Sequence, residues 1–242
     1  MYKRQQIQTA LSTRSWIAFV HRAPGINPGS NVTGQTTLSE LFDKLKGDGI
    51  LHKILPNCKG IFTLSNYLET FVNNYMRRCH LRVRTETLWH PKELTVQFDI
   101  DRYLGNRDRK VAHIGKYLRD VETFKRLTVP PNYSKTIVNG NLSDSGYEKT
   151  LTSSVVFVNL TDASASNLIV ECISSSTPII VNRIPAVEEY LGENYPLFYS
   201  STDELSNNIK SLLSDAAIRE AHLYLRGLDR TPSVSYTHLY SC

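Results

Sequence analysis

The chain has 242 residues, 28 Lys and Arg against 23 Asp and Glu, a formal charge of +5 and 40% hydrophobic residues. This size supports one large or two modest domains with real cores, and so mild a basic excess requires no nucleic-acid partner. No apolar run approaches a membrane span, and Cys58, Cys79, Cys172 and Cys242 form no C-x-x-C or Cys/His cluster that would hold zinc or a disulfide framework, so reduced thiols and a cytoplasmic location are expected.

Both ends of the chain read as foreign. Met1-Tyr2-Lys3-Arg4-Gln5 and Val234-Ser235-Tyr236-Thr237-His238-Leu239 translate opposite strands of a transposon adapter used in sequencing libraries, with GTG as the start codon of the first. Residues 1–5 and 234–242 are therefore expected to be non-native tails on a gene fragment and are excluded from fold reasoning.

A first lobe is expected over residues 6–94. It holds a strand at 16–21 ending in His21, and a loop at 23–37 rich in Pro, Gly, Asn and Ser. An amphipathic helix follows at 38–45. A strand and helix at 58–78 come next, with Leu68, Phe71, Val72 and Tyr75 on one helical face. Leu88-Trp89-His90-Pro91 reads as another strand. Polar residues 95–109, with Asp99, Asp101, Arg102, Arg107 and Arg109, read as a hinge, and residues 110–233 as a second lobe. Within it, Thr136 to Val138 is a short strand before the Asn139-Gly140 turn. Ser201-Thr202-Asp203-Glu204 is a capping box, and Asp215 is expected to cap a final helix through Arg226.

The stretch 155–192 is the most informative. A short β-branched run at 155–160 is followed by Asp162-Ala163-Ser164-Ala165-Ser166-Asn167, which has almost no side-chain bulk and leaves backbone N–H groups accessible. Ser166 or Asn167 can cap a helix through residues 168–174; Pro178-Ile179-Ile180-Val181 is a second buried strand, and Pro185 suits a first helical turn. Strand, open turn and helix N-terminus together favour anions. Glu171, about one turn into the helix, is placed to accept hydrogen bonds from a sugar diol.

This segment resembles the donor-binding end of glycosyltransferases with two Rossmann-like lobes, the GT-B architecture, and is most similar to their broad "group 1" families. Glu171, Thr177-Pro178-Ile179-Ile180 and Pro185-Ala186-Val187-Glu188-Glu189 carry the likeness. Eight positions before Glu171, where those families place another acid, stands Ala163, with Asp162 beside it. Lys110-Val111-Ala112-His113-Ile114-Gly115-Lys116-Tyr117-Leu118-Arg119 resembles the first strand of the donor lobe, ending in glycine and basic residues that grip a pyrophosphate. The strand and helix at 58–68, with 16–21 and 88–91, are similar in order to acceptor-lobe elements. The resemblance implies an α/β fold of two Rossmann-like lobes with an incomplete N-terminal lobe. It also implies a donor site of Lys116, Arg119, Ser164, Ala165, Ser166, Asn167 and Glu171.

The expected activity is transfer of a hexosyl group from a nucleotide-sugar donor to an acceptor, a sugar, protein or lipid-linked carrier, without metal or cofactor; the nucleotide-diphosphate sugar is substrate. His21 and His90, each following a strand, are weak catalytic candidates for orienting the acceptor or bonding the departing diphosphate. A fragment short of acceptor lobe is open to binding donor without turnover. Taken alone, Glu171, Lys116 and Arg119 are ordinary helix and surface charges, and the ordered set is what points to a pocket. The alternative is a non-catalytic Rossmann-like interaction protein that uses the basic cluster 77–84, also suited to peripheral membrane contact. Aromatic residues interleaved for base stacking are missing there, so no nucleic-acid partner is expected.

Overall fold

The computed structural model describes residues 2–25, 36–89, 96–116, 118–138, 140 and 142–228, with backbone only for 2–5. They fall into two units: Met1–Trp89 with Asp162–Ala165, and His90–Thr161 with Ser166–Cys242. His90, the Asn139 half of the expected turn and the 234–242 tail lie outside the described residues.

In the first unit the order is α1 (Tyr2–Thr13), β1 (Trp16–Val20), α2 (Leu38–Gly47), α3 (Ile50–Ile54), a 3-10 turn (Leu55–Asn57), β2 (Cys58–Thr63), α4 (Asn66–Arg78) and β3 (Thr85–Thr87). The strands form a parallel sheet in the order β1-β2-β3. Thr37 opens α2 with a reciprocal capping box to Glu40, and Ser65 caps α4 by accepting from Leu68 N at 3.1 Å. The α4 face predicted from spacing, Leu68, Phe71, Val72 and Tyr75, is buried in the core with Phe42 and Ile61. Residues 2–5, expected as tail, form the start of α1.

Of the expected strand at 88–91, residues 90 and 91 lie outside the described residues, and Leu88 and Trp89 follow the strand observed, β3. It lies just upstream in Thr-Glu-Thr, where Thr85 Oγ1 reaches Asn73 Oδ1 at 2.8 Å and Thr87 Oγ1 reaches Glu69 Oε2 at 2.7 Å. Bonds from Ile61 N to Arg84 O and from Leu88 N to Thr63 O extend the pairing on either side of β3.

The second unit runs α5 (Ile100–Leu104), β4 (Arg109–Ile114), α6 (Val121–Arg126), β5 (Tyr133–Val138), α7 (Asp144–Ser153) and β6 (Val155–Val158). It continues α8 (Asn167–Ser175), β7 (Ile179–Asn182), α9 (Pro185–Leu191), β8 (Phe198–Tyr199), α10 (Thr202–Leu212) and α11 (Asp215–Gly227). Its sheet is wholly parallel, in the order β5-β4-β6-β7-β8. The apolar runs of β6 and β7 are buried on both faces, as a parallel sheet requires. The direction of winding reverses between β4 and β6, and the carboxyl ends of strands at such a switch point are where open α/β sheets bind ligands.

The expected hinge at 95–109 is corrected in its described part. Phe98 donates its amide to Ser175 O at 2.8 Å and packs on Tyr103 and His222, so this stretch belongs to the body of the second unit. Arg109, also expected in the hinge, begins β4; its guanidinium bonds Leu104 O at 2.6 Å and pairs with Asp215. Asp215 is thereby committed to Arg109, and Ser214, not Asp215, caps α11 by accepting from Ala217 N at 3.3 Å. Half of the expected capping box forms before α10: Ser201 Oγ accepts from Glu204 N at 3.1 Å, but Glu204 Oε2 accepts from Ser200 N at 2.7 Å, one residue before the N-cap.

His113 is fully buried in β4, its ring 5.6 Å from that of Phe124 and its Nε2 3.0 Å from Gly115 O, which selects the Nε2–H tautomer. Burial, and next the Arg119 cation, lower its pKa to about 4. The unfolded chain takes up this proton near pH 6.5, before the folded chain does. The contribution is therefore complete above about pH 6.5 and is lost as pH falls toward 4. Urea unfolding followed from pH 7 to pH 4 is expected to show stability falling through this window, with a smaller fall in His113→Phe; equal falls would contradict the assignment.

Candidate functional site

At the carboxyl end of β4, Gly115 adopts φ +82°, and its amide donates to Val138 O at 2.7 Å. Only glycine enters this region without steric cost, and a Cβ here would overlap the Arg119 guanidinium. Arg119 folds back over the glycine and donates through Nη1 to Ile114 O. Leu118 supplies the turn with φ +52°, a conformation costing of order 1–3 kcal/mol for a residue other than glycine. The loop then runs antiparallel to the loop after β6: Thr161 N donates to Leu118 O at 2.9 Å and Asp120 N to Asn159 O at 2.8 Å. Asn182 braces the second loop with both ends of its amide, to Leu160 N at 2.7 Å and Leu160 O at 2.8 Å.

Glu171 lies in α8 and is 6% exposed, so it is not an exposed helix charge. Its Oε2 accepts from the Tyr147 hydroxyl, on α7. Burial, then the hydrogen bond to Glu171, drive the Tyr147 phenol well above its ordinary value, which keeps the donor proton in place. Burial pulls the Arg119 guanidinium down, while Tyr147, Glu171 and Cys172 act in the opposite direction. Arg119, Tyr147 and Glu171 thus form one electrostatically coupled cluster. Cys172, beside Glu171, is fully buried, and burial followed by the neighbouring carboxylate pushes its thiol well up.

Among the described residues, four buried side-chain atoms have no hydrogen-bond partner: His113 Nδ1, Arg119 Nε, Thr161 Oγ1 and Ser166 Oγ. All four lie at the end of β4, in the loops after β4 and β6, or at the start of α8. Buried polar groups are nearly always paired, so such a grouping marks a place with unspent hydrogen-bonding capacity.

The expected site residues therefore divide. Arg119 and Glu171 share one cluster. Lys116 follows Gly115 and is exposed, while Ser166 precedes α8 without a side-chain cap bond and exposed Asn167 opens it. Ser164 and Ala165 group with the first unit, where Ser164 Oγ donates to His21 O and Ser164 O accepts from Ser65 Oγ, both at 2.5 Å. The small side chains suit a turn, and the bonds at Ser164 use its hydroxyl and its carbonyl. His21 enters this contact through its carbonyl, with its side chain exposed.

Asp162 also lies with the first unit, 1% exposed, accepting from Gly25 N at 2.7 Å. Burial and then Asp162 push the Tyr67 phenol up to about 12. Tyr147 and Asn182 are the residues that sequence reasoning missed, since neither belongs to a motif. Among the described residues, no group of three or more His, Cys, Asp or Glu could hold a metal ion, and no helix is long and apolar enough to cross a membrane.

The basic cluster at 77–84 lies at and just beyond the end of α4. Arg78 sits 5.6 Å from the Tyr75 ring centroid, and Arg84 pairs with Glu86 at 3.3 Å. Cations at a helix C-terminus complement its dipole, which accounts for Arg77 and Arg78 without a ligand.

No protein-family model matches the chain, and no curated protein does. Solved structures do. HepE of Anabaena, in complex with UDP and glucose, aligns with TM-score 0.61 at 12% identity over 90% of this chain and 69% of its own. The pneumococcal O-GlcNAc transferase GtfA, in complex with UDP and GlcNAc, aligns with TM-score 0.59 at 8% identity over 93% and 51%. WaaG, a glycosyltransferase involved in lipopolysaccharide biosynthesis, aligns with TM-score 0.60 at 10% identity over 94% and 78%. The chain spans about half the length of GtfA and about two thirds that of HepE. At these identities the agreement is one of fold: the chain has the α/β fold of the GT-B glycosyltransferases, built from two Rossmann-like lobes.

Proposed function

We propose that the second unit binds a nucleotide-sugar donor and that the chain belongs to a glycosyltransferase transferring a hexosyl group to an acceptor hydroxyl. The observation that carries this is the Arg119–Tyr147–Glu171 cluster beside unpaired buried polar atoms at the sheet's switch point. The fold supports it, since HepE and GtfA were solved with UDP and a sugar.

In this reading Glu171 accepts hydrogen bonds from the ribose diol. Lys116, Arg119 and the amides around Ser164–Asn167 take the diphosphate. As the bond from the anomeric carbon to the phosphate oxygen breaks, negative charge grows on the leaving diphosphate. Preplaced cations and amides stabilise that charge, the role a divalent cation would otherwise take. The acceptor hydroxyl forms the new bond and releases its proton, and His21 and His90 are the proposed groups for orienting that hydroxyl or for bonding the leaving group. The acceptor is a sugar, a protein or a lipid-linked carrier.

A thermal-shift titration with UDP, GDP, ADP and CMP tests the donor reading, because a ligand that binds only the folded state raises its stability. One nucleotide is expected to stabilise the wild type. Glu171→Ala should weaken that binding by about 1–3 kcal/mol, the cost of leaving polar partners unpaired. No shift with any nucleotide would refute the donor site.

Gly115→Ala puts a side chain at positive φ and into the Arg119 guanidinium. It is expected to lower the unfolding free energy by about 1–3 kcal/mol and to weaken the same nucleotide. Calorimetry and the titration read the two effects, and an unchanged melting temperature would contradict the packing described.

A further inference from the structure

The donor reading assigns a role to Glu171 but none to the group that holds it. Tyr147 occupies the first turn of α7, whose start is fixed by Ser143: Ser143 Oγ accepts from Gly146 N at 3.2 Å and Ser143 O from Tyr147 N at 2.9 Å. The half-buried ring places its hydroxyl on Glu171 Oε2, across from α7 to α8. The terminal torsion of a glutamate is broad and roughly two-fold, so a carboxylate without such an anchor would present its oxygens in many planes. A bond from a rigid phenol to one named oxygen removes that freedom. Arg119, itself fixed on Ile114 O, is electrostatically coupled to both Tyr147 and Glu171. The Tyr147 hydroxyl thus holds the carboxylate by a direct hydrogen bond from a different helix, and Arg119 adds opposite charge nearby.

We propose that Tyr147 is the positioning residue for Glu171, and that by fixing the carboxylate it makes the site select a ribose diol over a 2′-deoxyribose. This rests on the donor reading above. Vicinal hydroxyls need a carboxylate held in one plane to engage both at once, whereas the single 3′-hydroxyl of a deoxyribose tolerates a mobile one. Phenylalanine keeps the ring and its packing and removes only the anchoring hydroxyl. Histidine restores an N–H donor on a ring of shorter reach.

The test is calorimetric titration of the full chain with UDP, GDP, ADP and CMP and with the 2′-deoxy form of each, on the wild type, Tyr147→Phe, Tyr147→His and Glu171→Gln. The wild type should prefer the ribose form of its nucleotide by about tenfold, the equivalent of one well-made hydrogen bond to a charged group. Tyr147→Phe should erase the preference by weakening the ribose form alone, Tyr147→His should restore part of it, and Glu171→Gln should resemble Tyr147→Phe. A preference that survives in Tyr147→Phe overturns the assignment while the donor reading stands. Equal weakening of both forms in the phenylalanine and histidine variants makes Tyr147 a structural support and likewise overturns it. A wild type that binds none of the nucleotides overturns the donor reading and this inference together.

Discussion

A guanidinium withdrawn from water must find acceptors and counter-charge, or its burial costs several kcal/mol. Arg119 meets that demand at the end of β4, and much of the local architecture follows from it. Its side chain can fold back onto Ile114 O only because Gly115 offers no Cβ. The chain reaches that geometry through the left-handed turn at Leu118, whose backbone cost is offset by the bond from Thr161 N. Opposite charge comes from Glu171, and the phenol of Tyr147 completes the group. Each of these residues makes sense through the arginine, and none of them does so singly.

The rest of the second unit keeps that edge in place. Buried apolar strands β6 and β7 set the sheet, and the Asn182 amide imitates a strand partner for Leu160 where the regular ladder has ended. At the opposite edge Arg109 joins α5, β4, β5 and α11 through Leu104 O, Tyr133 and Asp215. The two arginines illustrate different uses of one side chain. Arg109 pairs with a largely exposed carboxylate and ties elements together, whereas Arg119 is held so that one of its donors, Nε, stays unpaired.

Much of this was legible in the residues. The runs Val155-Val156-Phe157-Val158 and Ile179-Ile180-Val181 are too short and too apolar for anything but buried strands, and Glu171 followed from its place in the helix between them. Ser65 and Ser201 announced helix starts through local chemistry that needs no tertiary context. The failures share a cause of the opposite kind. Thr85-Glu86-Thr87 looks unlike a strand because its threonines are satisfied by Glu69 and Asn73, on a helix many residues earlier. Residues 95–109 looked like a hinge because the partners of Phe98 within them, Ser175 and His222, are distant in sequence. Tyr147 was invisible for the same reason: nothing near it in the chain signals the carboxylate it meets.

The burial of Cys172 has a consequence for observing the site. A thiol this deep, with its ionisation suppressed by burial and by the adjacent carboxylate, is closed to alkylating reagents, which attack the thiolate. It becomes reactive only when α8 leaves the sheet. Since Cys172 follows Glu171 directly, the rate at which it is modified measures how often the glutamate's own helix opens, a natural clock for local unfolding placed one residue from the proposed ligand.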